Sequence, residues 1–288
     1  MPMDYLIEQK LEKLNPKSLY EKKNSIRHIV QDIILCALTR SGRLDNAALH
    51  GDQARRIYFD PNGFSEDPVF SLIEPDKKFR LDTWLPLIEK ELAEYGFSFK
   101  AEIKERTKRP DIQAAVISGN TREHFALCYD ETSEIISETD MIKVKLEVNT
   151  NPPLYAEYTK KNCTFPVPHE VNMYDKPSLF AEKIGNTINR AWRNRTRGWD
   201  LYDYAFYVSQ DIPVNLEHLR DRLLYLEYVE AKEDMTIEEV RNNLCFRFKE
   251  INYKQVKIDL IPFVKDPESL DLWSAAYFCD ITQKLRES

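Results

Sequence analysis

No apolar run in this chain is long enough to cross a membrane; the best candidate, Ile29 to Leu38, is interrupted by Gln31 and Asp32. The sequence opens Met-Pro-Met-Asp-Tyr-Leu-Ile-Glu, without a basic region followed by a hydrophobic one, so no secretory leader is expected. Five cysteines (Cys36, Cys128, Cys163, Cys245, Cys279) lie far apart with no C-x-x-C spacing. They read as reduced, mostly packed thiols of a cytoplasmic protein. His28, His50, His124, His169 and His218 show no metal-ligand spacing and receive no role. Nor is there an excess of positive charge: the formal balance is −7, which argues against indiscriminate binding of nucleic acid. Internal repeats and low-complexity tracts are also missing.

What remains is a globular composition, 42% apolar with 15 tyrosines and 14 phenylalanines in 288 residues, enough for two domains with a substantial core. Ile26, Ile29, Val30, Ile33, Ile34, Ala37 and Leu38 follow helical spacing, predicting a helix over 19–41. Residues 44–50 lead through a helix end or short strand into a glycine turn at Gly51. A second helix is expected from Arg80 to Tyr95, ended by Gly96, then a strand over 97–104 and weaker strands at 111–118 and within 124–129. Residues 141–149 alternate best: Ile142, Val144, Leu146 and Val148 against Lys143, Lys145, Glu147 and Asn149. An extended piece over 154–160 and a crossing segment at Pro166 and Pro168 follow. From Pro177 the pattern is helical, with helices expected from Pro177, from Gly198, and over 215–228, 236–249 and 270–285. The expected class is α+β: a mixed α/β domain at 1–170, then a mostly helical domain at 171–288.

The most informative stretch runs from Gly51 to Ser71. It reads as a glycine turn, an amphipathic helix with Arg55 and Arg56, a turn at Pro61-Asn62-Gly63, and a short strand carrying Asp67. That order is the working end of a nucleotidyltransferase. Nucleotidyl transfer asks for Mg²⁺ between the α-phosphate and the attacking hydroxyl, and Mg²⁺ prefers one or two carboxylates with phosphates and water. A strand offers acids on one face at i and i+2, and a neighbouring strand adds a third. Asp67 is the candidate first acid and Glu147 the third, both as metal ligands; Val69 occupies the second position, and Glu66 points to the opposite face. The segment from Asn189 to Gly198 carries four arginines with no acid before Asp200, suiting triphosphate or RNA phosphate or a plain solvated loop. The aromatic run Trp199, Tyr202, Tyr204, Phe206 and Tyr207 reads as helix-packing core.

These motifs resemble the AbiEii/AbiGii-type nucleotidyltransferase toxin family, within the polymerase-β-like nucleotidyltransferases, over residues 20–285. Gly51, Ala54 and Arg56 match its glycine turn and helix, with Asp52 for the second glycine and Gln53 for the hydroxyl residue. Phe64, Ser65, Glu66, Asp67 and Phe70 match its Arg-Phe-Ser-Glu-Asp-Leu-Asp-Phe, with Gly63, Pro68 and Val69 as departures. Residues 143–153 resemble its acid-bearing strand, 179–183 its Leu-x-Ala-x-Lys, and 197–203 its Arg-Gly-Arg-Asp-x-x-Asp, with Trp199 for an arginine.

The resemblance implies an NTP substrate, Mg²⁺ and a cognate antitoxin, in a toxin–antitoxin or abortive-infection (phage-defence) setting. By resemblance, Asp67, Glu147, Lys183 and Asp200 are catalytic, with Lys183 on the nucleotide phosphates and Asp200 orienting groups in a cleft shared with Asp67 and Glu147. Gly51, Gln53, Arg56, Ser65, Lys183 and Arg197 would bind nucleotide. Asp52 sets a negative charge on a turn whose amides should face phosphate, Val69 removes a carboxylate, and Pro68 favours an edge strand. Two activities follow. One is Mg²⁺-dependent transfer from an NTP to a hydroxyl of RNA, such as tRNA, or of protein. The other is a catalytically decayed nucleotide-binding or protein-interaction module.

Overall fold

The computed structural model describes residues 3–61, 65, 67–105, 109–129, 136–190, 198–228, 234–261, 264 and 266–288. The chain divides into two compact units: Met1–Pro152 with Tyr158–Tyr174, and Pro153–Glu157 with Asp175–Ser288.

The first unit contains, in chain order, α1 (Met3–Leu14), α2 (Leu19–Arg40), β1 (Ala47–His50), α3 (Gly51–Phe59), β2 (Val69–Leu72), α4 (Leu85–Glu94), β3 (Lys100–Lys104), β4 (Ile112–Asn120), α5 (Thr121–Tyr129), β5 (Met141–Asn149), β6 (Tyr158–Cys163) and β7 (His169–Tyr174). The strands form one seven-stranded mixed sheet in the order β3-β4-β5-β2-β1-β7-β6. Pairs β2/β5 and β1/β7 are parallel and the others antiparallel. Helix α2 is the core of the unit: Ile26, Ile29, Val30, Ile33, Ile34 and Leu38 are fully buried, and α2 packs against β5, β7 and α4. A capping box starts it, with Ser18 and Glu21 each closing on the other's backbone N–H. Along β5, Ile142, Val144, Leu146 and Val148 are buried, as alternation predicts.

Three local readings need correction. The weak strand expected within 124–129 is helix α5. The Asn120 side chain accepts from the N–H groups of Arg122 and Glu123 at 2.9 and 3.3 Å, so an N-terminal cap overrides the β preference of Phe125 and Tyr129. The edge position expected from Pro68 is also wrong: β2 lies between β1 and β5. Pro68 immediately precedes the strand, where its missing N–H costs nothing and its carbonyl accepts from Glu147 N at 3.2 Å. The helix expected from Arg80 begins as a 3₁₀ turn, Leu81–Thr83, and becomes α4 with a proline in its first turn. Gly96, at φ +80°, ends α4: Phe97 N donates to Leu92 O at 2.9 Å and Gly96 N to Ala93 O at 3.0 Å. The chain then reaches β3 only at Lys100, because Phe97 and Phe99 first pack on the His124 ring. Helix α1 and strand β7 had no expectation.

The second unit is helical: α6 (Lys176–Asn189), α7 (Gly198–Ser209), α8 (Leu216–Tyr225), α9 (Ile237–Phe248), α10 (Tyr253–Leu260) and α11 (Ala275–Thr282), with a 3₁₀ turn at Pro267–Leu272. The single helix expected over 270–285 is thus a 3₁₀ turn followed by α11, and α10 is additional. Helix α6 is central, packed by α7, α8 and α9, and Asp175 caps it by accepting from Ser178 N at 2.8 Å. Tyr204 and Tyr207 are fully buried, Tyr207 stacked on Phe180 at 5.1 Å and Tyr204 bonded to Thr282 Oγ1 at 2.6 Å. Of the expected aromatic core, Tyr202 and Phe206 are only half-buried and Trp199 is 39% exposed.

Candidate functional site

The register of β2 against its neighbours defines the site in the first unit. His50, Val69, Glu147 and Ala114 are successive partners across β1, β2, β5 and β4. Cross-strand partners share a face, so Val69 holds the place beside Glu147 where a second acid would stand. Asp67, two positions earlier, has the parity of Val69. Its Oδ1 accepts from Lys145 N at 3.0 Å, where the ladder between β2 and β5 would otherwise end, and from Arg27 Nη2 at 2.6 Å. Glu147 pairs with the Lys145 ammonium. Each carboxylate expected at the site is therefore already matched by a cation.

On the other side of Val69, His50 Nε2 lies 3.0 Å from Ser71 Oγ, and the imidazole stacks on Tyr174 at 5.0 Å. Neither His50 nor Ser71 was singled out from the sequence. The one available signal was the position of His50 next to the glycine turn, since its pairing depends on a strand twenty residues away.

The glycine turn has the backbone expected of it. Gly51, at φ +72°, opens α3, a Cβ there would meet open space, and the N-cap His50 offers no side-chain cap. Asp52 lies in the first turn of α3, where a negative charge favours the helix dipole. Gln53 is fully buried with neither amide atom bonded to a described residue. Arg56 turns inward: it is 2% exposed and pairs with Asp32 at 2.5 Å, in contact with His28. Burial by itself would raise Asp32, but Arg56, His28 and Lys10 outweigh it and hold the carboxyl well below its ordinary value. Ser65 is buried and donates to Gln31 Oε1 at 3.0 Å. Arg197, with Glu66, Gly63 and Phe64, lies outside the described residues.

In the second unit, Lys183 on α6 and Asp203 on α7 form a buried ion pair at 2.6 Å. Asp200, one turn earlier on α7, pairs with Arg190 at 2.5 Å. Gly198 lets α7 approach α10: a Cβ at that position would stand 2.6 Å from Leu260 Cγ.

The donor chemistry decides the metal question for the described residues. Asp67 and Glu147 are engaged by Arg27 and Lys145, Val69 contributes only methyl groups between Glu147 and His50, and no cluster of three or more His, Cys, Asp or Glu has metal-binding geometry among the described residues. This set does not fit the paired divalent cations of a nucleotidyl-transfer centre.

The fold is that of a nucleotidyltransferase, a mixed sheet with helices; β2 begins two residues after Asp67 instead of carrying it, and lies beside β5, which carries Glu147. The chain belongs to the family described as nucleotidyl transferase AbiEii toxin of type IV toxin–antitoxin systems, whose family model matches residues 33–279. A crystal structure of a candidate nucleotidyltransferase from H. pylori is similar with a TM-score of 0.50 at 14% identity, covering 93% of this chain and 95% of that one. The nucleotidyltransferase toxin MenT4 from Mycobacterium tuberculosis is similar at 13% identity over 99% of both chains, with a TM-score of 0.48, a likeness too distant to carry an argument. No curated protein matches the chain. Among the described residues, no helix is long and apolar enough to cross a membrane.

Proposed function

We propose that this member of the toxin family keeps the nucleotidyltransferase fold as a nucleotide-binding or protein-interaction module, with metal-dependent transfer lost and a cognate antitoxin as partner. The observation that carries this reading is the register pairing of Val69 with Glu147, beside an Asp67 bound by Arg27 and by the Lys145 amide. In it, residues 1–170 supply the nucleotidyltransferase-like part and 171–288 its helical companion. The open glycine turn at Gly51 would meet the nucleotide. Asp67 ties the start of β2 to β5 and α2, and Glu147 pairs with Lys145 along β5, in place of binding metal.

A second reading is transfer of a nucleotide from an NTP to a hydroxyl of RNA or protein, with tRNA as a natural acceptor. It is favoured by the retention of Asp67 just before β2, of Glu147 on the adjacent β5, and of the Lys183–Asp203 pair. Calorimetric titration with ATP, GTP, CTP and UTP, with and without Mg²⁺, separates the two. Binding that Mg²⁺ leaves unchanged, or no binding, agrees with the first reading, whereas metal-enhanced binding overturns it. The sharper comparison is wild type against Val69→Asp with Asp52→Gly, assayed for labelled-nucleotide incorporation into tRNA. A silent wild type and an active double variant are expected; equal activity of the two would refute the lost-catalysis reading.

A further inference from the structure

Helices α9 and α11 bring two thiols together. The Cys279 thiol donates to the Cys245 carbonyl, sulfur to oxygen 3.8 Å, and the Cys245 thiol is in turn hydrogen-bonded to that of Cys279. Both are free thiols and neither side chain is fully buried. Cys36 is buried, and Cys128 and Cys163 stand on α5 and β6 of the other unit. The approach of α9 to α11 is fixed on either side of the thiols. Arg241 Nη2 donates to Leu285 O at 2.7 Å on one side, and the Phe248 and Phe278 rings lie 5.1 Å apart on the other. A disulfide needs its two Cα atoms within about 7 Å and its Cβ atoms turned toward each other. Thiols already in contact meet that demand by rotating their side chains, with the helices staying in place.

The two sulfurs are not equivalent. Burial, then the hydrogen bond to Cys279 and the Cys279 charge, push Cys245 up to about 12. Thiol–disulfide exchange runs through the thiolate, so Cys245 is a poor first nucleophile. Both contributions of Cys279 disappear once its sulfur is part of a disulfide, which leaves Cys245 better able to act second.

We propose that Cys245 and Cys279 form a redox-responsive dithiol, which low-molecular-weight disulfides such as oxidised glutathione convert to an intramolecular disulfide that staples α9 to α11. The Cys279 thiolate attacks one glutathione sulfur, forming a mixed disulfide and releasing the first glutathione thiol. The Cys245 thiolate then attacks Cys279 Sγ, the mixed S–S bond breaks, and the second glutathione leaves. Two cysteine sulfurs are oxidised, two glutathione sulfurs are reduced, and the two cysteine protons end on the released thiols. The new bond closes a loop that contains α10 and the 3₁₀ turn at Pro267–Leu272. No residue assigned to nucleotide or metal takes part, so the proposal stands whether or not nucleotidyl transfer survives.

The test is incubation of the full chain with oxidised glutathione at about pH 8, followed by acid quench, unfolding, alkylation and peptide mapping by mass spectrometry. A Cys245–Cys279 cross-link that dithiothreitol reverses is expected, with no glutathione left on either residue. Cys245→Ser should hold glutathione on Cys279, since no second thiol displaces it, and Cys279→Ser should leave Cys245 mostly unmodified. The oxidised wild type should unfold about 5 °C above the reduced protein, a rise that neither serine variant shows. Alkylation of both Cys245 and Cys279, glutathione persisting on either in the wild type, no adduct on Cys279 in Cys245→Ser, or equal unfolding midpoints would overturn the proposal.

Discussion

Lys183 and Asp203 show how single residues are bound to their surroundings. The pair is buried, so each charge is compensated in part by the other. Removing one partner strands the second in a medium that solvates it poorly, whereas replacing both removes the cost at its source. Asp203→Ala should therefore lose about 3–5 kcal/mol in urea unfolding, and the double variant Lys183→Met with Asp203→Leu should recover much of it. A double variant as unstable as Asp203→Ala would show that the acid acts through other contacts. Gly119 makes a steric prediction at the same scale. A Cβ on it would lie 2.7 Å from His124 Cε1 and 2.9 Å from the Phe99 ring, both held by packing. Gly119→Ala should cost about 1–3 kcal/mol in the same measurement, from overpacking.

Helices and strands are joined through buried imidazoles, which makes their docking sensitive to acid. His124 of α5 donates from Nδ1 to Asn120 O at 2.5 Å and accepts at Nε2 from Ser98 N at 3.1 Å, so it joins the start of α5 to the segment before β3. Burial lowers His28, His124 and His169 below 6.5. A lowered folded-state value means the unfolded chain takes up protons first as pH drops. The stabilisation is present above pH 6.5 and is lost as the pH falls through the window beneath it. Denaturant midpoints should fall between about pH 7.5 and 5.5, and His124→Gln should flatten that dependence. An unchanged slope in the variant would remove His124 from the account. Element boundaries follow similarly local causes: Gly96, which ends α4, was legible in the sequence, whereas the cap of α5 by Asn120 was not, since that segment read as a weak strand.

For the whole molecule, the formal charge of −7 supplies no global positive field to draw polyanions to this toxin-family protein. Filter binding at physiological salt should retain no random-sequence RNA, and tight salt-dependent retention would contradict that view. The amphipathic helix α2, the alternating strand β5, the helical nature of the second unit and the glycine turn at Gly51 were all legible in the chain. Their signals are periodicities and caps that span a few residues each. What no periodicity contains is which distant residues become neighbours. The pairing of Val69 with Glu147, 78 positions later, the closing of Asp67 by Arg27, and the burial of Arg56 against Asp32 were decided only when strands and helices packed. Amino-acid order sets the face a side chain takes on its own element; the partner across that face is chosen by tertiary packing, because charge pairing and register act through space without a local signature.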